Sequence, residues 1–66
     1  MLHVSVFIER EKKNVTLDVK DLAEVFTQLK INPEVVLIAV NEKLVTKKAV
    51  LHDGDQIKLL SVISGG

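Results

Sequence analysis

The chain has 66 residues, 47% of them hydrophobic, and nine basic against nine acidic side chains leave a formal net charge of zero. That length holds one domain, and cysteine is absent, which excludes disulfides, thiolate metal sites and a thiol nucleophile. No basic cluster is longer than the pairs Lys12–Lys13 and Lys47–Lys48 and there is no Trp or Tyr, so no nucleic-acid footprint is expected; no apolar run nears the ~18 residues of a membrane span.

Residues 2–8 alternate with period two. Leu2, Val4, Val6 and Ile8 fall on one face and His3, Ser5 and Phe7 on the other, the pattern of a half-buried strand. The polar stretch Glu9 to Asn14 predicts a hairpin turn, and Val15, Leu17 and Val19, alternating with Thr16 and Asp18, predict the returning strand. The period then lengthens. Leu22, Val25, Phe26 and Leu29 recur at spacings of three and four, the stripe of an amphipathic helix over 19–30. Asp18 and Asp21 are spaced for a capping box, and Asp21 and Glu24 at the start with Lys30 at the end complement the helix dipole. Asn32–Pro33 is expected to stop the helix, because proline disfavours helical geometry in the residue before it.

Val35 to Val40 is a continuous aliphatic run, too short for a second helix, and predicts a strand apolar on both faces. Asn41-Glu42-Lys43 predicts a turn, Leu44–Val45 a short strand, and Thr46 to Val50 an irregular crossing. Asp53-Gly54-Asp55 is a turn with glycine where a positive φ is needed. Ile57 to Val62 is the last strand, with Ile57 and Leu59 facing opposite to Lys58, Leu60 and Val62. The order is ββ–α–β–(β)–β, an α+β class: one mixed sheet with one helix across one face. Its expected core is Val4, Val6, Val15, Leu17, Leu22, Phe26, Leu29, Ile38, Val40, Ile57 and Leu59.

With one helix, the second sheet face meets water. Alternation puts Phe7, Leu37, Ala39, Leu60 and Val62 there, and exposed apolar side chains of that kind mark protein contacts. No constellation for catalysis appears. His3 and His52 are far apart with no close-spaced ligand set, so no metal site is expected; Asp53 and Asp55 bracket a turn glycine; Ser64 has no His–Asp set near it.

The chain closes on Val62-Ile63-Ser64-Gly65-Gly66. At background glycine frequency a chance Gly-Gly end occurs in roughly 0.5% of chains. Together with Ala39-Val40-Asn41 before the first late turn and Asp53-Gly54-Asp55 before the last strand, this ending resembles the ubiquitin-like sulfur-carrier family: the ThiS type, the MoaD type and the archaeal small modifiers. The resemblance spans the whole chain. It implies a β-grasp (ubiquitin-like) domain over 1–62 with a flexible Gly-Gly tail at 63–66. It also implies a cytoplasmic carrier that is not itself an enzyme and binds no cofactor. An E1-like activating enzyme would use ATP to adenylate the Gly66 carboxylate, sulfur would replace AMP to give a thiocarboxylate, and a biosynthetic enzyme such as a thiazole synthase would take the sulfur.

In the modifier branch the activated Gly66 joins a lysine of a target protein instead. Ser64 and Gly65 would thread the activating enzyme's narrow passage, where the missing Cβ atoms of Gly65 and Gly66 avoid collision. The Pro-Pro pair often found before the MoaD-type tail is replaced by Leu60-Ser61-Val62, which favours the thiamine type over the molybdopterin type. A pure interaction module, with Gly-Gly incidental, is the alternative of another class.

Overall fold

A computed structural model describes residues 1–61. The expectations on Val62, Ser64, Gly65 and Gly66 therefore lie outside the described residues. Strand β1 (Leu2–Ile8) and strand β2 (Lys13–Val19) form an antiparallel hairpin, helix α1 (Leu22–Leu29) follows, and a 3-10 turn (Pro33–Val35) leads into β3 (Val36–Val40), β4 (Lys43–Val45) and β5 (Gln56–Ser61). The strands form one five-stranded sheet in the order β2-β1-β5-β3-β4. Only the central β1–β5 pair is parallel. This is the β-grasp arrangement.

The first hairpin closes more tightly than its polarity suggests. Pairing runs on through Phe7–Asn14 and Ile8–Lys13, so the turn is Glu9–Lys12 rather than Glu9–Asn14. Ladder bonds belong to the backbone and do not require apolar side chains. Lys12 takes the left-handed conformation, φ 51°, that lets the chain reverse.

Helix α1 is shorter than its apolar stripe and its cap sits three residues later than the Asp18 pairing predicted. Val19 is the end of β2, opposite Leu2, and is fully buried, so the helix cannot begin until that pair is made. Asp21 is the N-cap. Its carboxylate accepts the Glu24 N–H at 2.9 Å, while the Glu24 carboxylate accepts the Lys20 N–H at 2.7 Å, a capping box whose return bond goes to the residue before the cap. The helix ends at Lys30, in left-handed geometry at φ 57°, before the Asn32–Pro33 stop expected for it. Asn32 instead caps the 3-10 turn through Glu34 N–H at 2.9 Å, and this turn takes Val35 out of β3.

The core lies between the helix and one sheet face. Val4, Val6, Leu22, Phe26, Ile38, Ile57 and Leu59 are buried as expected, joined by Ile8, Val19, Val25 and Leu51. Val15, Leu17, Leu29 and Val40, expected inside, are only partly buried and pack on its margin. Val15 and Leu17 lie on β2, an edge strand with a neighbour on one side only, so less of the core closes over them.

Candidate functional site

The uncovered sheet face is polar at one end, where His3 pairs with Asp18 and Ser5 lies between Thr16 and Gln56, and carries two further cross-strand rows. The first runs Asn14, Phe7, Lys58, Ala39, Leu44 across all the strands, because each is paired with the next in register. In the second, Leu60 of β5 lies opposite Leu37 of β3. A shallow concavity of about 1000 Å³ opens over Phe7, Ala39, Leu44, Lys58 and Leu60. Leu37 is 48% exposed and Leu44 68%, while Phe7 and Leu60 are half-buried. Parallel and antiparallel pairing to β5 thus brings apolar residues far apart in sequence together, with Ser5, Asn14, Glu42 and Gln56 lining the same concavity.

Of the side chains expected on this face, Phe7, Leu37 and Leu60 are there with accessible surface. Ala39 is on the face but only 6% exposed. A methyl group between Lys58 and Leu44 in the neighbouring strands is the floor of the patch and not an anchor. Leu44, 68% exposed, is the apolar side chain of this face that the sequence pattern missed. Strand β4 has three residues, too few for alternation to fix a face, and only its pairing with Ala39 does so.

A polar latch holds the base of this surface. Val40 pairs with Lys43 across a loop made by Asn41 and Glu42, both in the left-handed region at φ 52° and 70°, the backbone of a two-residue hairpin turn. The Asn41 backbone N–H donates to Gln56 O at 2.8 Å, and its side-chain oxygen accepts the Gln56 N–H at 3.1 Å. The Asn41 amide N–H donates to Asp55 Oδ1 at 3.0 Å, and Asp55 Oδ2 accepts the His52 N–H at 2.7 Å. The β3–β4 turn is thereby tied to the start of β5.

Asp55 is 8% exposed, the one buried charged group among the described residues. The bond from His52 N–H lowers its pKa below the ordinary 3.8; burial opposes this, and the Asn41 amide and the charge on His52 add to the lowering. Gly54 stands at φ +87° with open space where a Cβ would go, so its glycine is needed for backbone conformation rather than for room. Asp53 accepts His3 N–H at 2.7 Å, and Gly54 N–H donates to His3 O at 2.7 Å, docking the turn on β1. Both aspartates are structural, as turn chemistry predicted.

His3 pairs with Asp18 on the surface. Among the described residues no group of three metal-ligating side chains comes together, and no helix is long and apolar enough to cross a membrane. What the described surface offers chemically is a platform of Phe7, Leu44 and Leu60 around the Lys58 ammonium, bordered by the polar side chains of Ser5, Asn14, Glu42 and Gln56, on the strand that runs toward Gly66.

Residues 4–66 match the model of the ThiS family. Among solved structures the chain is similar to the protein–protein complex of subunits 1 and 2 of the molybdopterin-converting factor from Helicobacter pylori 26695. The TM-score is 0.77 and the identity 28%, over 98% of this chain and 100% of that one. It is also similar to the thiamine biosynthesis protein ThiS from Geobacter metallireducens, with TM-score 0.66 and 22% identity over 98% and 100% of the chains; that likeness concerns the fold. Among curated proteins none matches the chain. Since the family match runs from the first strand through the final glycine and the fold agrees, the chain belongs to the ThiS family of small sulfur-carrier proteins.

Proposed function

We propose that this carrier works through the carboxylate of Gly66. An ATP-dependent, E1-like enzyme joins that carboxylate to AMP with loss of pyrophosphate. A sulfur nucleophile then attacks the carbonyl, AMP leaves, and the thiocarboxylate is consumed in forming the thiazole of thiamine or a related sulfur-containing cofactor. A free carboxylate is a poor electrophile, and AMP supplies the leaving group it lacks. ATP belongs to the activating enzyme, and the carrier itself holds no cofactor.

The observation that carries this reading is the placement of exposed apolar side chains on and beside the strand leading to the Gly-Gly sequence. Phe7, Leu37, Leu44 and Leu60 dock the domain on the activating enzyme, with Ala39 beneath them, and Val62 continues the alternation two residues beyond Leu60. Residues 63–66 act as a tail beyond a domain of 1–62. Fully extended they reach roughly 13 Å at ~3.3 Å per residue, enough to carry Gly66 into a cleft while Ser64 and Gly65 thread its entrance. The compartment is the cytoplasm.

A second reading has an observation of its own. The 28% identity and TM-score of 0.77 to a chain of the Helicobacter pylori molybdopterin-converting factor complex support a molybdopterin-type role, in which the same thiocarboxylate serves a different acceptor. The test is intact mass after incubation with ATP, a sulfide source and the adenylating enzyme of the same organism. The expected product is heavier by the exchange of one oxygen for sulfur. Its consumption by a thiazole synthase or by a molybdopterin-synthase large subunit then distinguishes the two readings. Adducts on lysines of other proteins would instead indicate the modifier branch. An unchanged mass, together with full biological activity of a chain lacking Gly65–Gly66, would overturn all three in favour of an interaction module.

A further inference from the structure

The side chain at the centre of the open face is a cation. Lys58 is the cross-strand neighbour of Phe7 on one side and Ala39 on the other, with Leu60 two residues along the same strand. The ion pairs among the described residues are His3–Asp18 and Lys47–Glu34, and Lys58 takes part in neither. Glu42 lines the same concavity but stands beyond ion-pair distance of it.

In the free protein this lysine costs little, since its methylene stem can lie along apolar neighbours while the ammonium stays in water. A partner that covers the face removes that water. An ammonium left dry and unpaired opposes binding strongly, whereas one met by a carboxylate does not. We propose that the open face takes a protein whose apolar contact surface carries an Asp or Glu carboxylate opposite Lys58, and that this pairing selects the partner. The inference rests on the docking role given to this face above.

Charge complementarity is what identifies the occupant. A wholly apolar surface would strand the ammonium. A second copy of this chain, face to face, would bring two ammonium groups into one seam, with the Glu42 carboxylates of the two concavities as their only counter-charges there among the described residues. Lys58 therefore acts against the wholly apolar surface while favouring the acid-bearing partner, which is how a repulsive element confers specificity.

The experiment is calorimetric titration of the full chain with the adenylating enzyme of the same organism, at low and high salt, for wild type, Lys58→Met, Lys58→Glu and Leu60→Asp. Melting curves show whether each variant is folded; Lys58 is exposed and its variants are expected to melt with the wild type. Lys58→Met should weaken binding about 30-fold or more, with a flatter salt dependence, because the partner's carboxylate is left unpaired. Lys58→Glu should weaken it further, and replacing the facing carboxylate of the enzyme by lysine should restore it.

If Lys58→Met binds as well as wild type or better while Leu60→Asp weakens binding, the acid pairing is wrong and the docking face stands. If Leu60→Asp binds as wild type, or wild type does not bind, the docking role fails and this inference with it. A wild-type dimer in solution that Leu60→Asp converts to monomer would also overturn the proposal, by showing that a second copy covers the face.

Discussion

Asp55→Asn tests the latch that fixes the start of β5. The wild-type carboxylate accepts two N–H groups, from His52 and from the Asn41 amide, while being 8% exposed. An asparagine there keeps one oxygen for His52 but turns its own amide N–H toward the Asn41 amide, donor against donor. Asn41 cannot rotate to accept without giving up the Gln56 N–H that its oxygen holds. One hydrogen bond to a charged acceptor is therefore lost, at about 1.5–3 kcal/mol. In a domain of this size that lowers Tm by roughly 6–24 °C. Asp53→Asn is the control, because Asp53 caps an exposed N–H and should change stability far less.

The same variant has a signature in pH. The folded-state pKa of Asp55 is lowered from 3.8. Its ionised form thus stabilises the fold fully above the unfolded value, and the contribution disappears as pH falls through the folded value. The stability gap between wild type and Asp55→Asn should hold from neutrality to about pH 5 and close progressively below about pH 4. Urea unfolding across that range checks it. A variant as stable as wild type at pH 7, or a gap that does not change down to acid pH, would refute the latch.

Three further perturbations separate the core from the site. Phe26→Ala removes a ring that is 5% exposed; the expected loss is about 3–5 kcal/mol, against roughly 3–10 for a chain of this length, so a melting curve should show partial or complete unfolding. Leu44→Asp, at a side chain 68% exposed, should leave the melting curve in place and weaken binding to the activating enzyme by about 1–3 kcal/mol in calorimetry. Gly66→Ala should leave stability unaltered and sharply reduce ATP–pyrophosphate exchange, since a methyl beside the reacting carbonyl displaces it and ~1 Å of displacement can lower a rate about 100-fold.

The fold was legible where one element sets its own period. Residues 2–8 read as a strand and the Leu22, Val25, Phe26, Leu29 stripe as a helix without reference to anything else. Boundaries were less legible, because partners elsewhere set them. Val19 belongs to β2 since Leu2 pairs with it, and that pairing moves the cap from Asp18 to Asp21. Leu51 is 6% exposed in a segment with no period to read. The Asn41–Asp55 bond joins residues that each looked like local turn formers, and nothing local announces that they meet.

The site was half legible for a related reason. Alternation found Phe7, Leu37 and Leu60, because β1, β3 and β5 are long enough to show it, and it could not see that Ala39 is floor and Leu44 is surface. Strand β5 explains why core and site nevertheless go together. Ile57 and Leu59, at 2% and 1% exposure, are fixed in the core, so Lys58 and Leu60 must point to the open face; the pleat allows nothing else. Slipping this strand by one residue would bury an ammonium and expose two core side chains at once. The packing beneath the sheet thereby orients the side chains of the face above it, and the Asn41–Asp55 latch holds the start of the strand that carries them.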